Sequence, residues 1–211
     1  MPDPILADGF HWSEEPWGRA LRSRPLARVA DHVFTSFPLR LRGDCGREEE
    51  EWGHVAATIG VPVDRLLRLR QVHGHAVVVA GRETADDGAI PLQGQVSGDR
   101  EGRRWPEADI LLSADPSVAI AVQVADCVPL LIADPRSGSV AAAHAGWRGT
   151  SANVAGTTVA ALTRHFCADP ADLVAVVGPS IGPCCYTVGQ DVVEAVERAG
   201  FEAGASRWFT A

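Results

Sequence analysis

The sequence predicts a layered domain of the α/β class, with mixed α+β character. Three observations predict it: unbroken apolar runs too short for helices, glycine and proline clusters between them, and later runs that alternate with helical stripes. Runs at residues 66–72, 76–80, 109–114, 118–124, 128–133, 139–143 and 173–177 are continuous rather than alternating, so their sheet is covered on both faces.

Residues 1–47 are the least legible, rich in Arg, Pro and Trp, with a weak strand signal at His32-Val33-Phe34-Thr35. Residues 48–59 place Trp52, Val55, Ala56 and Ile59 at three- and four-residue spacing and stop at Gly60 and Pro62, which predicts a short amphipathic helix. Its four leading glutamates read as a solvated first turn favoured by the helix dipole. Strands 66–72 and 76–80 follow, turned by His73-Gly74-His75, and the polar, glycine-rich stretch between Gly81 and Glu107 reads as a surface excursion. Ser151 is placed to cap a helix to about His165, with Val154, Thr158, Ala161, Leu162 and His165 on one stripe. Strand 173–177 runs into Gly178-Pro179-Ser180-Ile181-Gly182-Pro183-Cys184-Cys185-Tyr186, and Val192, Ala195, Val196 and Ala199 mark a last helix. No internal repeat occurs, and residues 1–211 read as one domain.

Composition narrows the function classes. With 211 residues and 46% hydrophobic content the chain can bury one sizeable core. A net charge of -8, with all 19 basic residues arginine and no dense basic run, argues against nucleic acid as a partner. Five cysteines, two of them adjacent, suit reduced thiols and a cytoplasmic location rather than a disulfide framework. The start lacks the pattern of a secretory signal, and no apolar run approaches the roughly 18 residues of a membrane span.

The chemistry concentrates in three places. His144 stands in Ala143-His144-Ala145-Gly146-Trp147-Arg148-Gly149, His73 in Gln71-Val72-His73-Gly74, and Cys127 in Ala125-Asp126-Cys127. Each is expected at a strand end beside small residues, where a rigid scaffold presents side chains to a cleft. Two imidazoles and one thiolate suit zinc, with a fourth position left for water or substrate; copper is a weaker fit. One thiolate leaves the ion net positive, able to acidify water or polarise a leaving group. Asp126 is a candidate to orient a ligand histidine or to act as acid or base. Arg148 is a candidate anion-binding fork, helped by the N-terminus of the Ser151 helix, and Gln71 a candidate contact to base or ribose. Gly146 and Gly149 read as room for backbone near the site. His11, His32, His54, His165, Cys45 and Cys167 lack such settings, and Cys184 and Cys185 read as buried structural residues.

Four blocks in order, QVHG, ADILLSADPSVAIAVQVADCVPLLIADP, GSVAAAHAGWRGT and VVGPSIGPCCYTVG, resemble the YfiH family, also called laccase-domain, polyphenol oxidase or peptidoglycan editing factor proteins. The resemblance implies a layered α/β-β-α fold and zinc held by His73, Cys127 and His144. It also implies phosphorolysis of adenosine, inosine and methylthioadenosine, with adenosine deamination. Substrates would then be a purine nucleoside and phosphate, with no nucleic acid or membrane partner and a monomeric or homodimeric state.

Other readings stay open. Cys127 with His144 or His73 as base makes a cysteine hydrolase or a peptidoglycan-precursor editing enzyme. A scaffold without catalysis is a different class again. A copper polyphenol oxidase is poorly served by seven histidines, one His-x-His pair at His73 and His75, and a single methionine, Met1. Against the family pattern, FTSFPLRLRGDCG replaces a glycine-rich turn, and relatives continue past the region of Trp208-Phe209 through a helix and a terminal strand. The sequence therefore reads as lacking the family's C-terminal segment, which would expose a sheet edge and favour dimers.

Overall fold

The computed structural model describes residues 7–36, 39–41, 47–81, 90–92, 105–201 and 209. Ten strands and four α-helices lie among them. The strands are β1 (Phe10–Glu15), β2 (Gly18–Ser23), β3 (Leu66–Leu67), β4 (Val77–Ala80), β5 (Ile90–Leu92), β6 (Ile110–Ser113), β7 (Ala119–Ile120), β8 (Val128–Ala133), β9 (Val140–Ala145) and β10 (Val174–Val177). The helices are α1 (Glu48–Ile59), α2 (Trp147–Ser151), α3 (Val154–Phe166) and α4 (Gln190–Val196).

Six strands form the central sheet in the order β10-β8-β9-β6-β4-β5. The pairs β4–β5 and β4–β6 are parallel, and β6–β9, β8–β9 and β8–β10 are antiparallel. Alternation along each strand sends its apolar residues to both faces. Val79, Ile110, Leu112, Leu130, Ile132, Ala141 and Ala143 pack under Val154, Ala161 and Leu162 of α3. On the reverse, Val78, Ala80 and Leu111 meet Leu67, Leu69 and Ile120 around β3 and β7, while Ala133 and Val176 meet Leu21 of the N-terminal hairpin and Leu26 and Phe34 from the segment after it. Outside β3 and β7, α1 closes the stack by packing Trp52, Val55 and Ala56 on Leu66 of β3. The layers therefore run α, β, β, α, as anticipated, and both faces of the sheet are covered.

Several local expectations are corrected. Of 66–72 and 118–124, only Leu66–Leu67 and Ala119–Ile120 pair as strands, two residues each in parallel register. The first 47 residues hold a regular hairpin, β1 against β2, which turns at Pro16 and Trp17. The first turn of α1 is not wholly solvated: Glu51 is buried, and its carboxylate accepts from the backbone N–H groups of Arg40 and Leu41. Ser151 caps nothing; its hydroxyl returns to the Trp147 carbonyl as the last residue of α2. Asn153, left-handed at φ 59°, caps α3 by accepting from the Gly156 N–H at 3.2 Å. The stretch 81–107 lies outside the described residues except for Gly81, residues 90–92 and residues 105–107, and Cys45 lies outside them too.

Candidate metal centre

The central sheet brings four strand ends to one side. Because β4 and β6 are parallel, with Val77 opposite Ile110, their N-terminal ends lie together. Antiparallel β9 meets β6 with Ala143 opposite Ile110, so its C-terminal end joins them. Strand β8 enters at the same place, with Val128 opposite Ala145 and Pro129 opposite His144. The residues just outside these ends are the motif residues of the sequence.

His144 sits within β9, 3% exposed, its N–H donating to the Asp109 carbonyl at 2.8 Å. Cys127 stands in the bend immediately before β8, and His73 lies in the loop ahead of β4, left-handed at φ 61°. One ligand atom from each of His73, Cys127 and His144 falls within 4.8 Å of the others, and this is the one cluster of three such donors among the described residues. The two imidazoles meet edge to face, with centroids 4.7 Å apart and planes at 84°.

Gly146 leans over this cluster. A Cβ there would stand 3.1 Å from His73 Cδ2, 3.2 Å from Cys127 Sγ and 3.7 Å from His144 Cε1. Gly149, one turn on, would place a Cβ 2.8 Å from the Gly74 carbonyl. Both glycines thus give the backbone room that the sequence suggested. Two imidazoles, a thiol and a small cradle roofed by glycine fit a metal ion in donor chemistry and in space.

The carboxylate that grips this site is Asp109, a residue not singled out from sequence. It is fully buried: Oδ1 lies 2.7 Å from His144 Nδ1 and accepts from the His73 N–H at 2.9 Å, while Oδ2 accepts from Gly74 N–H at 2.7 Å and Val72 N–H at 3.2 Å. Burial pushes the carboxyl up, but the hydrogen bonds from His144, Gly74 and Val72 outweigh it and hold Asp109 below the ordinary carboxylate range. Burial, reinforced by the charges of Asp126 and Asp109, pushes the Cys127 thiol up. The carboxylate on His144 is therefore Asp109 and not Asp126, whose exposed side chain stands beside Cys127 and whose carbonyl accepts from Ile181 N–H at 3.0 Å.

Gln71 is tied up locally. Its Nε2 donates to the Gln123 carbonyl at 2.7 Å and its Oε1 accepts from the Gln123 N–H at 2.7 Å. Arg148 is exposed, its guanidinium carbon 4.2 Å from the Trp147 ring centroid. It is the second residue of α2, so the N-terminus of α3 does not back it as expected. Cys184 and Cys185 are exposed rather than buried, with sulfurs 3.2 Å apart.

Comparison with known proteins gives these positions a family. Residues 33–210 match the family model described as multi-copper polyphenol oxidoreductase laccase. A purine nucleoside phosphorylase of Deinococcus radiodurans is 38% identical over 151 residues, which cover 72% of this chain and 51% of that protein. Adenosine deaminase RL5, from an unknown prokaryotic organism, is 34% identical over 151 residues, covering 70% of this chain and 52% of that protein. The chain thus spans about half the length of these curated relatives. The crystal structure of YlmD from Geobacillus stearothermophilus superposes with a TM-score of 0.68 at 27% identity, over 89% of this chain and 71% of that one. A family match across most of the sequence, together with YlmD-like and YfiH-like structural neighbours, shows that the chain belongs to the laccase-domain, or YfiH, family.

Proposed function

We propose that the His73, Cys127 and His144 cluster is a zinc site at which a purine nucleoside is phosphorolysed, with adenosine, inosine and methylthioadenosine as substrates and adenosine deamination as a second activity. The convergence of two imidazoles and a thiol within 4.8 Å carries the reading, and the printed names of the relatives, phosphorylases and one deaminase, support it. Bound zinc would supply a Lewis acid, worth several kcal/mol where charge develops.

The chain's own residues divide the remaining work. In phosphorolysis a phosphate oxygen bonds the anomeric carbon as the glycosidic bond breaks, and its electron pair leaves with the purine, which gains a proton. Arg148, pre-oriented by its stack on Trp147, holds the phosphate dianion as a fork. Asp126, exposed beside Cys127, is the acid or base at the mouth of the site. Gln71 adds a polar wall to the nucleoside side while its amide holds Gln123. His73, Cys127 and His144 hold the ion.

The cysteine-hydrolase reading gains little support, because a thiol pushed up by burial and neighbouring carboxylates is a poor unassisted nucleophile. The test is incubation of zinc-loaded protein with adenosine, with and without phosphate. Adenine and ribose 1-phosphate are expected only with phosphate, inosine in both cases, and a loss of about a hundredfold or more in His144→Ala. Unchanged turnover in that variant removes the proposal.

A further inference from the structure

We infer that Asp109 is a positioning residue that sets the tautomer of His144 and pins the left-handed turn carrying His73, so that one buried carboxylate prepares both imidazoles before any ion arrives. The inference rests on the metal reading above and deepens it.

The argument is one of donor accounting. Asp109 offers two acceptor oxygens and no donor while ionised. Oδ1 faces His144 Nδ1 at 2.7 Å, a distance that requires a proton on Nδ1, because two lone pairs would repel there. A neutral His144 with its proton on Nδ1 has its lone pair on Nε2, the nitrogen left for the cluster. The same carboxylate accepts from three consecutive backbone N–H groups, those of Val72, His73 and Gly74. A non-glycine residue at φ 61° is unfavourable by itself, and these three bonds compensate at His73. Asp109 is in turn fixed by the sheet: its carbonyl accepts from His144 N–H at 2.8 Å and its N–H donates to the Ala76 carbonyl at 3.3 Å.

Asp109→Asn separates these roles from bulk. The amide keeps the shape, yet its NH2 must face either His144 and the His73 N–H or the N–H groups of Val72 and Gly74. With NH2 toward His144, the imidazole is driven to carry its proton on Nε2, which closes that nitrogen to a metal. With NH2 toward the turn, the N–H groups of Val72 and Gly74 lose their acceptor and only that of His73 keeps one. Outer partners of this kind are worth about 10–100-fold in metal affinity.

The experiment uses the full chain with imidazole 15N labels, held at about pH 8 so that ordinary histidines are neutral. Long-range 1H–15N spectra read the His144 tautomer without added metal, and competition with a chromophoric chelator reads zinc affinity. We expect Nδ1–H in the native chain, a shift toward Nε2–H in Asp109→Asn, and zinc binding weakened about 10–100-fold. Native protein with His144 as Nε2–H overturns the inference, whether or not the variant folds. So does a variant that matches the native chain in both tautomer and zinc affinity. Native protein that shows Nδ1–H but binds no zinc sinks the metal reading alone and supports the tautomer assignment.

Discussion

Gln71 and Gln123 hold each other through a reciprocal pair of hydrogen bonds, the side-chain amide of one against the backbone amide of the other, each 2.7 Å long. Gln71 precedes His73 by two residues and Gln123 precedes Cys127 by four, so the pair ties two of the three ligand arms together. Each bond is worth about 0.5–1.5 kcal/mol net. Gln71→Ala is therefore expected to lower unfolding stability by about 1–2 kcal/mol and to weaken zinc binding, by chemical denaturation and chelator competition. A variant with native zinc affinity would show that the two arms are held independently.

Gly146→Ala tests the cradle. The added methyl would crowd His73 Cδ2 at 3.1 Å and Cys127 Sγ at 3.2 Å, both held by short backbone segments. We expect a folded protein whose zinc affinity falls about tenfold or more, since a misplaced ligand costs as much as a lost outer partner. Native affinity in this variant would mean that the ligands close on the ion from a direction Gly146 does not occupy.

Arg148 is predicted to act on phosphate and not on the ion. Its guanidinium stacks on Trp147 and is exposed. Loss of a charged hydrogen bond of about 1.5–3 kcal/mol corresponds to a tenfold or greater rise in KM for phosphate in Arg148→Ala. Zinc content and adenosine deamination are expected to be unaffected. Arg148→Lys restores the charge but not the planar fork, and is expected to recover only part of the loss.

His32 gives a pH dependence remote from the site. Its Nε2 accepts from Ser23 N–H at 2.7 Å while Nδ1 donates to the Ala30 carbonyl at 3.2 Å, so the folded state wants it neutral. Burial lowers its pKa, opposed by the Ala30 carbonyl and Asp31 and assisted by Arg22 and His11. The folded pKa lies below the unfolded value of about 6.5, so its contribution is full above that pH and is lost as pH falls through the folded value. Thermal unfolding is expected to fall between about pH 7 and 5, and His32→Gln, which keeps an acceptor but cannot titrate, is expected to flatten that slope. Equal slopes in the two proteins would move the acid sensitivity elsewhere.

Much of the fold was legible because burial on two faces writes unbroken apolar runs, and β6, β8, β9 and β10 fell where such runs were read. The stripe of α3 was equally plain, since Val154, Thr158, Ala161, Leu162 and His165 are all buried. The N-terminal hairpin is hard to read because its core residues Phe10, Trp12 and Leu21 are separated by His11, Ala20 and polar neighbours, so that it carries neither an unbroken apolar run nor a clean alternation. Asn153 was passed over for Ser151, although both are cap formers, because the break between α2 and α3 depends on a left-handed residue that no period reveals.

At the site, the three motif residues met as the resemblance implied, but Asp109 did not stand out. An aspartate at the start of an apolar strand reads as an ordinary boundary residue. Only the parallel pairing of β4 with β6 shows that it faces the loop holding His73. Asp126, beside a ligand in sequence, looked the better orienter. It lies in the bend that leads into β8, with its side chain exposed, while Asp109 is buried against His144.

The strand order carries a consequence for how the molecule is made. Cys127 and His144 are brought together by the short β8–β9 hairpin, but His73 joins them only once β4 has docked on β6 and β6 on β9. These are long-range pairings, slow to form and unrewarded until loop closure is complete. An ion cannot recruit such a site early, as it does in a zinc finger, because its donors do not exist as a set until the sheet does. The zinc site proposed above thus predicts a clock for the last act of folding: in a refolding chain, zinc uptake should trail the recovery of helical signal and coincide with closure of the sheet.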